Sequence, residues 1–291
     1  MGASAADTPA LDWPEPQPGV HLLGVIGWPV LHSLSPVIQS AALAALGLGD
    51  EWRYVHLPVP PGAMPQAMAK LQDDGYRGAN VTMPHKESAA ELATGCSSDV
   101  ERLRAVNTLN RTDGGFEGHN TDAPGFANFL AGDVGFVPAG GPTLIFGAGG
   151  AARACALALV QMGVTEIIVA ARDVNRGWAA MDGLVPQGNL AVIAFDDASR
   201  VSPALIVNAT PVGSSGEVLP APALSPEIVV VDLLYHPADT PLLAAARGAG
   251  ARAAGGLGLL VHQGALSLEI WTGRMPDLAV MRAAGEAAGA V

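Results

Sequence analysis

Lysine is nearly absent from this chain of 291 residues: among fifteen basic residues only Lys70 and Lys86 are lysines. Positive charge as a whole is scarce. The net charge of −12 excludes a general nucleic-acid binder, because the summed field repels phosphate. An anionic ligand then needs a local site that overcomes this field. Cysteine is limited to Cys96 and Cys155, far apart and without metal-type spacing. No metal is expected, and a reduced, cytoplasmic setting is. Long apolar runs are missing too. Gly, Pro and charges interrupt the helical ones well short of ~18 residues, so no membrane span is expected. The start, "MGASAADTPALDWPEPQPG", lacks the basic and apolar regions of a signal peptide, and Ala6 stands where a myristoylation signal has Ser or Thr. It reads as a loose tail. Internal repeats are absent, and so is low complexity beyond an Ala/Gly bias.

What is present suits a packed globular protein, with 49% of residues hydrophobic and 14% charged. The length allows one large domain or two of ordinary size. "HLLGVIG" (His21 to Gly27) reads as a buried strand and Pro36 to Leu46 as a helix. "WRYVHLPV" is a second strand and Pro61 to Asp73 a second helix. "GANVT" is a third strand, and Pro84 opens another helix. Such alternation implies a mostly parallel sheet covered by helices on both faces. "AVNTLNRTDGGFEGHNTD" breaks the rhythm with an Asp-Gly-Gly turn between two extended pieces, hence a hairpin. A second α/β run begins near Pro142, with strands in "TLIF", "EIIVAAR", "LAVIAF", "ALIVNAT" and "EIVVVDLLY". Helices are expected in "GLGLLVHQGALSLEIWTG" and over Met275 to Ala288. Two α/β domains fit this pattern, with a boundary near residues 122 to 140.

"GAGGAA", Gly147 to Ala152, follows an apolar strand and opens an apolar helix, the context that a dinucleotide fingerprint needs. Gly147 permits the tight turn and Gly149 lets pyrophosphate approach the backbone. Gly150, Ala151 and Ala152 supply small residues for close helix packing. The free N–H groups of the helix start then hold phosphates. The next strand ends at Ala171, with Arg172 after it and Arg176 one helical turn later. An acid there would select a ribose 2′-hydroxyl, whereas two guanidiniums suit a 2′-phosphate, so NADP is favoured over NAD. Asp173 sits between them, where it either repels phosphate or pairs with Arg176.

Other clusters sit where strands end. "HSLSP" puts Ser33 and Ser35 ahead of a helix N-terminus, a place to bind a carboxylate, while Ser35 could equally cap the helix. "AVNT" supplies Asn107. "GHNTD" supplies Asp122, which could simply cap the following helix. "GANVTMPHKESA" holds Lys86. Lysine, unlike arginine, can be tuned to exchange a proton near neutral pH. A solvated surface lysine in a first helical turn is the alternative.

Taken together, "HSLSP", "NVTMPHK", "AVNT", "NTDAPGF", "GAGGAARA", "NATPVG", "DLLYHPADTPLL" and "GLLVHQGA" resemble, in matching order from about residue 22 to 275, the shikimate dehydrogenase family. The resemblance implies a substrate-binding and catalytic domain over 1–122, completed by 259–291, and a Rossmann-type NADP domain over 123–258. It implies that Ser33 and Ser35 hold the substrate carboxylate, and that Thr82, Asn107 and Gln263 bind ring hydroxyls. It further implies that Tyr235 lies near the substrate and that Lys86 and Asp122 form the catalytic pair. By the same resemblance Gly147, Ala148, Gly149, Gly150, Ala151, Ala152 and Gly256 would lie on the cofactor, and Arg172 and Arg176 on its 2′-phosphate. Two departures stand out. Ala171-Arg172-Asp173 replaces the usual Asn-Arg-Thr, and Leu259 replaces a methionine that packs by the nicotinamide, an apolar swap.

The implied reaction is 3-dehydroshikimate + NADPH ⇌ shikimate + NADP⁺. Reduction needs a proton at oxygen as well as a hydride at carbon, and Lys86 is the candidate acid, oriented by Asp122. The partner is a small-molecule substrate, with no nucleic acid or membrane, and the chain is expected as a monomer or homodimer. Rival readings are an NAD-preferring quinate/shikimate dehydrogenase and a non-catalytic sensor of NADP or a shikimate-like acid.

Overall fold

The structure, a computed structural model, describes residues 11–138 and 140–289. The described chain divides into two compact units, one ending at Thr121 and resuming at Gly264, the other running from Asp122 to Gln263. The first unit contains β1 (His21–Gly27), α1 (Ser35–Ala45), β2 (Trp52–Pro58), α2 (Met64–Asp73), β3 (Gly78–Val81), α3 (Lys86–Leu92), β4 (Gly95–Cys96), α4 (Ser98–Leu103), β5 (Thr108–Thr112) and β6 (Gly115–His119). The second contains α5 (Asp122–Phe129), β7 (Thr143–Phe146), α6 (Gly150–Gln161), β8 (Ile167–Ala171), α7 (Val174–Met181), β9 (Leu190–Ala194), β10 (Leu205–Asn208), β11 (Val229–Asp232), α8 (Pro241–Gly248) and β12 (Arg252–Gly255). The division falls inside α9 (Leu257–Thr272), and α10 (Leu278–Gly289) follows.

The first sheet has the order β2-β1-β3-β5-β6-β4. β1 pairs in parallel with both β2 and β3, so it is an interior strand, and its apolar run is buried from Leu22 to Gly27. β3 then pairs antiparallel with β5, and β5 with β6, the hairpin closing at Thr112 opposite Gly115. The Asp-Gly-Gly reading is met there, with Gly115 at φ +129°. β4 and α4, too short for a periodic signal, were not anticipated. Two helix starts differ from the proline expectation. α2 begins at Met64, because Pro61 and Gly62 form a turn in which Gly62 is left-handed at φ +84°. α3 begins at Lys86, because Pro84 lies in a turn closed by the His85 amide on the Thr82 carbonyl at 3.0 Å.

The start of the chain is corrected as well. Residues 1–10 lie outside the described residues, but the stretch after them is not loose. Trp13 is buried in the first core, stacks edge-on against Tyr76 at 5.8 Å, and donates its indole N–H to the Pro58 carbonyl. Lys70 sits over the same Trp13 ring and pairs with Asp74 at 2.9 Å, so one of the two lysines serves the surface of the first unit.

The second sheet, β12-β11-β10-β7-β8-β9, is parallel throughout. Strand order reverses between β7 and β10, and that is the switch point of a doubly wound fold, where ligands bind outside the carboxyl ends of the strands. β7, β10 and β11 are buried at every position, as strands covered on both faces must be. α8 was not anticipated, although Thr240 caps it and Pro241 opens it. Both cysteines are free thiols, and Cys155 is pushed up by burial and, secondarily, by the Asp122 carboxylate. Among the described residues no helix is long and apolar enough to cross a membrane.

Candidate active site

In the first unit the singled-out residues come together at one end of the sheet. Ser33 and Ser35 leave the carboxyl end of β1, Thr82 and Lys86 leave that of β3, and Asn107 enters β5 beside Val81, whose amide bonds the Asn107 carbonyl at 2.8 Å. Gly27 makes the approach possible: a Cβ there would lie 2.5 Å from Thr82 Cγ2. Ser33 Oγ accepts from the Ser35 amide at 3.2 Å and donates to Ser35 Oγ at 3.1 Å. The two hydroxyls therefore face one another. Ser35 is the first helical residue of α1 rather than its cap, which is Leu34, so the capping alternative falls away.

Lys86 is half-buried and its backbone is clamped. The His85 ring is buried and bonded through Nε2 to the Val59 carbonyl at 2.7 Å, and the Lys86 carbonyl accepts from the Val106 amide at 2.9 Å. Asn107 is also fixed, since its Oδ1 accepts from the Thr121 amide at 2.7 Å and its Nδ2 donates to Thr121 Oγ1 at 2.9 Å.

Behind these residues lies a buried polar network that sequence reasoning missed. The Tyr54 hydroxyl donates to Asn80 Oδ1 at 2.7 Å, and the two hydrogens of Asn80 Nδ2 are shared among three acceptors within 3.1 Å, the Asn107 carbonyl, Thr108 Oγ1 and Ser267 Oγ. Burial pushes the Tyr54 phenol well up, with the Ser35 hydroxyl pulling the other way. The only local signal was a polar residue, Asn80, inside an otherwise apolar strand. A glycine in α9, Gly264, is also explained by its packing. Gln39 Nε2 donates to the Gly264 carbonyl at 2.9 Å, and a Cβ on Gly264 would lie 3.1 Å from that nitrogen, so alanine would crowd it.

In the second unit the glycine turn sits at the switch point. Gly147 adopts φ +103°, and a Cβ there would meet Thr210 Cγ2 at 2.9 Å and the Ala209 carbonyl at 3.1 Å. Ala148 follows it, and Gly149 precedes α6. Gly149 and Gly150 have open space beside their Cα atoms, and Ala151 is exposed. Close helix packing therefore falls to Ala152, which is buried, and not to Gly150 or Ala151. The turn, the open glycines and the N-terminal end of a helix fit a pyrophosphate.

Arg172 and Arg176 are both exposed, one just past β8 and the other in the first turn of α7. Asp173 Oδ1 accepts from the Arg176 amide at 3.0 Å, which makes Asp173 the N-cap of α7. Asp122 opens α5. Tyr235 is half-buried, and burial pushes its phenol up. Gly256 packs so tightly that a Cβ would lie 2.0 Å from the Leu233 carbonyl. Leu259 is half-buried in α9. Gln263 donates to the Leu260 carbonyl at 2.9 Å, and its backbone is 2.8 Å from where a Gly125 Cβ would stand. Among the described residues no three His, Cys, Asp or Glu side chains are grouped to hold a metal.

A parallel doubly wound sheet with a glycine turn at its switch point, joined to a second α/β unit, defines the class of two-unit proteins with a Rossmann-type fold. The family profile described as the shikimate dehydrogenase substrate binding domain matches residues 25–109, and the one described as the shikimate 5'-dehydrogenase C-terminal domain matches residues 256–284. The NADP(+) shikimate dehydrogenase of Geobacter metallireducens is 42% identical over 90% of this chain and 94% of its own. The crystal structure of shikimate 5-dehydrogenase from Thermus thermophilus, in complex with NADP(H) and shikimate, has a TM-score of 0.82 and 37% identity, covering 92% of this chain and 100% of its own. Quinate dehydrogenase from Corynebacterium glutamicum, in complex with NAD, has a TM-score of 0.84 at 28% identity, covering 92% of this chain and 99% of its own. This chain belongs to the shikimate dehydrogenase family.

Proposed function

We propose that this chain catalyses the reversible NADP-dependent reduction of 3-dehydroshikimate to shikimate, a step of aromatic amino-acid (chorismate) biosynthesis. The observation that carries the reading is its 37% identity, over 92% of its length, to the Thermus enzyme that binds both NADP(H) and shikimate. The residues at the strand ends of each unit support it. Ser33 and Ser35 take the carboxylate, and Thr82, Asn107 and Gln263 the ring hydroxyls, with Tyr235 beside the ring. The Gly147–Ala152 turn takes the pyrophosphate end of the cofactor, Gly256 lies elsewhere along the cofactor, and Arg172 and Arg176 take its 2′-phosphate. NADPH, when bound, supplies the hydride. Lys86 polarises the ketone and gives its proton to the oxygen, and Asp122 orients the ammonium group. The unit that ends at Thr121 and resumes at Gly264 is the substrate domain, and the unit from Asp122 to Gln263 the NADP domain. Two free thiols fit a reduced cytoplasm, where the chain acts as a monomer or homodimer.

Steady-state kinetics with shikimate and quinate, each with NADP and NAD, test this. The expected order of kcat/KM puts shikimate with NADP first. The likeness to the NAD-bound quinate dehydrogenase favours one rival, which quinate and NAD leading would establish. Binding without turnover would establish a sensor instead. The serine pair gives a further expected outcome. Ser33→Ala with Ser35→Ala should raise shikimate KM by about tenfold or more, the effect of losing a hydrogen bond to a charged group. NADP binding should stay nearly unchanged. If both affinities fall together, the variant has misfolded the first unit; an unchanged shikimate KM in a folded variant would remove the serines from the carboxylate role.

A further inference from the structure

We propose that Asp232 is a positioning residue, whose carboxylate sets the loop that walls the glycine turn and the segment that carries Tyr235. The proposal rests on the dehydrogenase reading above and adds to it residues to which that reading gives no role. Asp232, the last residue of β11, is 0% exposed. Its Oδ1 accepts from Asn208 Nδ2 at 2.9 Å and from the Leu234 amide at 3.1 Å, and its Oδ2 accepts from Thr240 Oγ1 at 2.7 Å. Three elements are thereby joined at one carboxylate: the tip of β10, the exit from β11 and the cap of α8.

The Asn208 amide has only one workable orientation. Its Oδ1 accepts from the Thr210 amide at 3.0 Å and from Thr210 Oγ1 at 2.7 Å, while its Nδ2 donates to Asp232 and to the Val212 carbonyl at 3.0 Å. Flipped, the NH₂ would face the Thr210 N–H, and the oxygen would face two acceptors. The Thr210–Val212 loop is wound about this side chain, with the Val212 amide bonded back to Thr210 Oγ1 at 3.2 Å. The same loop closes on the turn, since a Cβ at Gly147 would meet Thr210 and Ala209. On its other side, Asp232 holds the residue before Tyr235, and the Leu234 carbonyl in turn accepts from the Gly256 amide at 2.9 Å.

Burial works against a charged group here. Burial raises the Asp232 carboxyl more than its three hydrogen bonds lower it. A carboxyl raised in the folded state holds its proton more tightly there than in the unfolded chain. Its ionisation therefore works against the fold above the raised value, and the penalty vanishes below the unfolded one. Asparagine would avoid that penalty. It would also weaken the hold on Asn208, because a neutral oxygen would serve two donors and the new NH₂ would face the Thr240 hydroxyl.

The test is a fluorescence titration of NADPH into wild type, Asp232→Asn, Thr210→Val and the double variant, with melting temperatures and steady-state kinetics beside it. Asp232→Asn should raise the NADPH Kd about tenfold, the effect of weakening one charge-assisted hydrogen bond, and lower kcat severalfold. Its melting temperature should stay level or rise. Thr210→Val loosens the loop without touching the core and should raise the NADPH Kd alone. The double variant should bind little worse than the weaker single variant, because both act through one loop. An Asp232→Asn protein that binds NADPH like wild type, with only its melting temperature changed, overturns the proposal. If Asp232→Asn does not fold, a wild-type NADPH Kd for Thr210→Val overturns it instead. Should wild type bind NADPH yet turn over neither acid, the dehydrogenase reading fails while the titration still decides the role of Asp232.

Discussion

Lys86→Ala should lower kcat by ~10²–10⁴, the range for a lost general acid, with much less change in the substrate KM. The backbone at Lys86 is held by groups that the substitution leaves in place, the His85 ring on the Val59 carbonyl and the Val106 amide on the Lys86 carbonyl. The turn that presents residue 86 should therefore survive. Lys86 is the first residue of α3, where a cation meets the positive end of the helix at a penalty of ~0.3–1 kcal/mol. A melting temperature measured beside kcat separates loss of chemistry from loss of fold. Lys86→Arg should fail almost as badly, since guanidinium keeps the charge but does not release a proton in proteins. A kcat within a few-fold of wild type for either variant would remove Lys86 from the role of acid. The contrast with Lys70 is informative: that lysine lies over Trp13 and pairs with Asp74, and its replacement should leave turnover alone.

What could be read in the sequence was local. β1 announces itself as a continuous apolar run, the hairpin by its Asp-Gly-Gly turn, and the cofactor turn by glycines between a buried strand and a buried helix. What could not be read depends on partners distant in the chain. Asn80 meets Ser267 across 187 positions, and Asn208 meets Asp232 across 24, and neither spacing leaves a periodic trace. Trp13 looked like part of a loose tail because its burial is set by Tyr76 and Pro58, not by its Pro-rich neighbours. Pro61 and Pro84 misled as helix openers for a related reason. Proline suits a first helical turn and a tight turn equally, and the choice fell to Gly62 and to the His85–Thr82 bond. The orientation of Asp173 was open for the same reason: composition places an acid between two arginines, but only the backbone decides which donor it meets.

That orientation bears directly on the cofactor. NADP differs from NAD by one 2′-phosphate, and hydrogen bonds to a charged group are worth ~1.5–3 kcal/mol each. Arg172 and Arg176 are exposed, so solvent screening takes part of that, and two of them should give a preference for NADPH over NADH of ~10²–10³ at low salt, falling as salt rises. Asp173 is engaged elsewhere, its Oδ1 accepting the Arg176 amide at 3.0 Å as the cap of α7. Threonine caps nearly as well as aspartate. Asp173→Thr should therefore shift the NADPH/NADH ratio of kcat/KM by less than about threefold, the residue of a charge turned toward the helix and screened by water. Arg172→Ala with Arg176→Ala should collapse that ratio toward unity by weakening NADPH, with NADH nearly unaffected. A tenfold or greater sharpening in Asp173→Thr would mean that the carboxylate turns to the phosphate when cofactor binds. A wild type that uses NAD as well as NADP would end the arginine reading and move the chain toward the NAD-bound quinate dehydrogenase it resembles in fold.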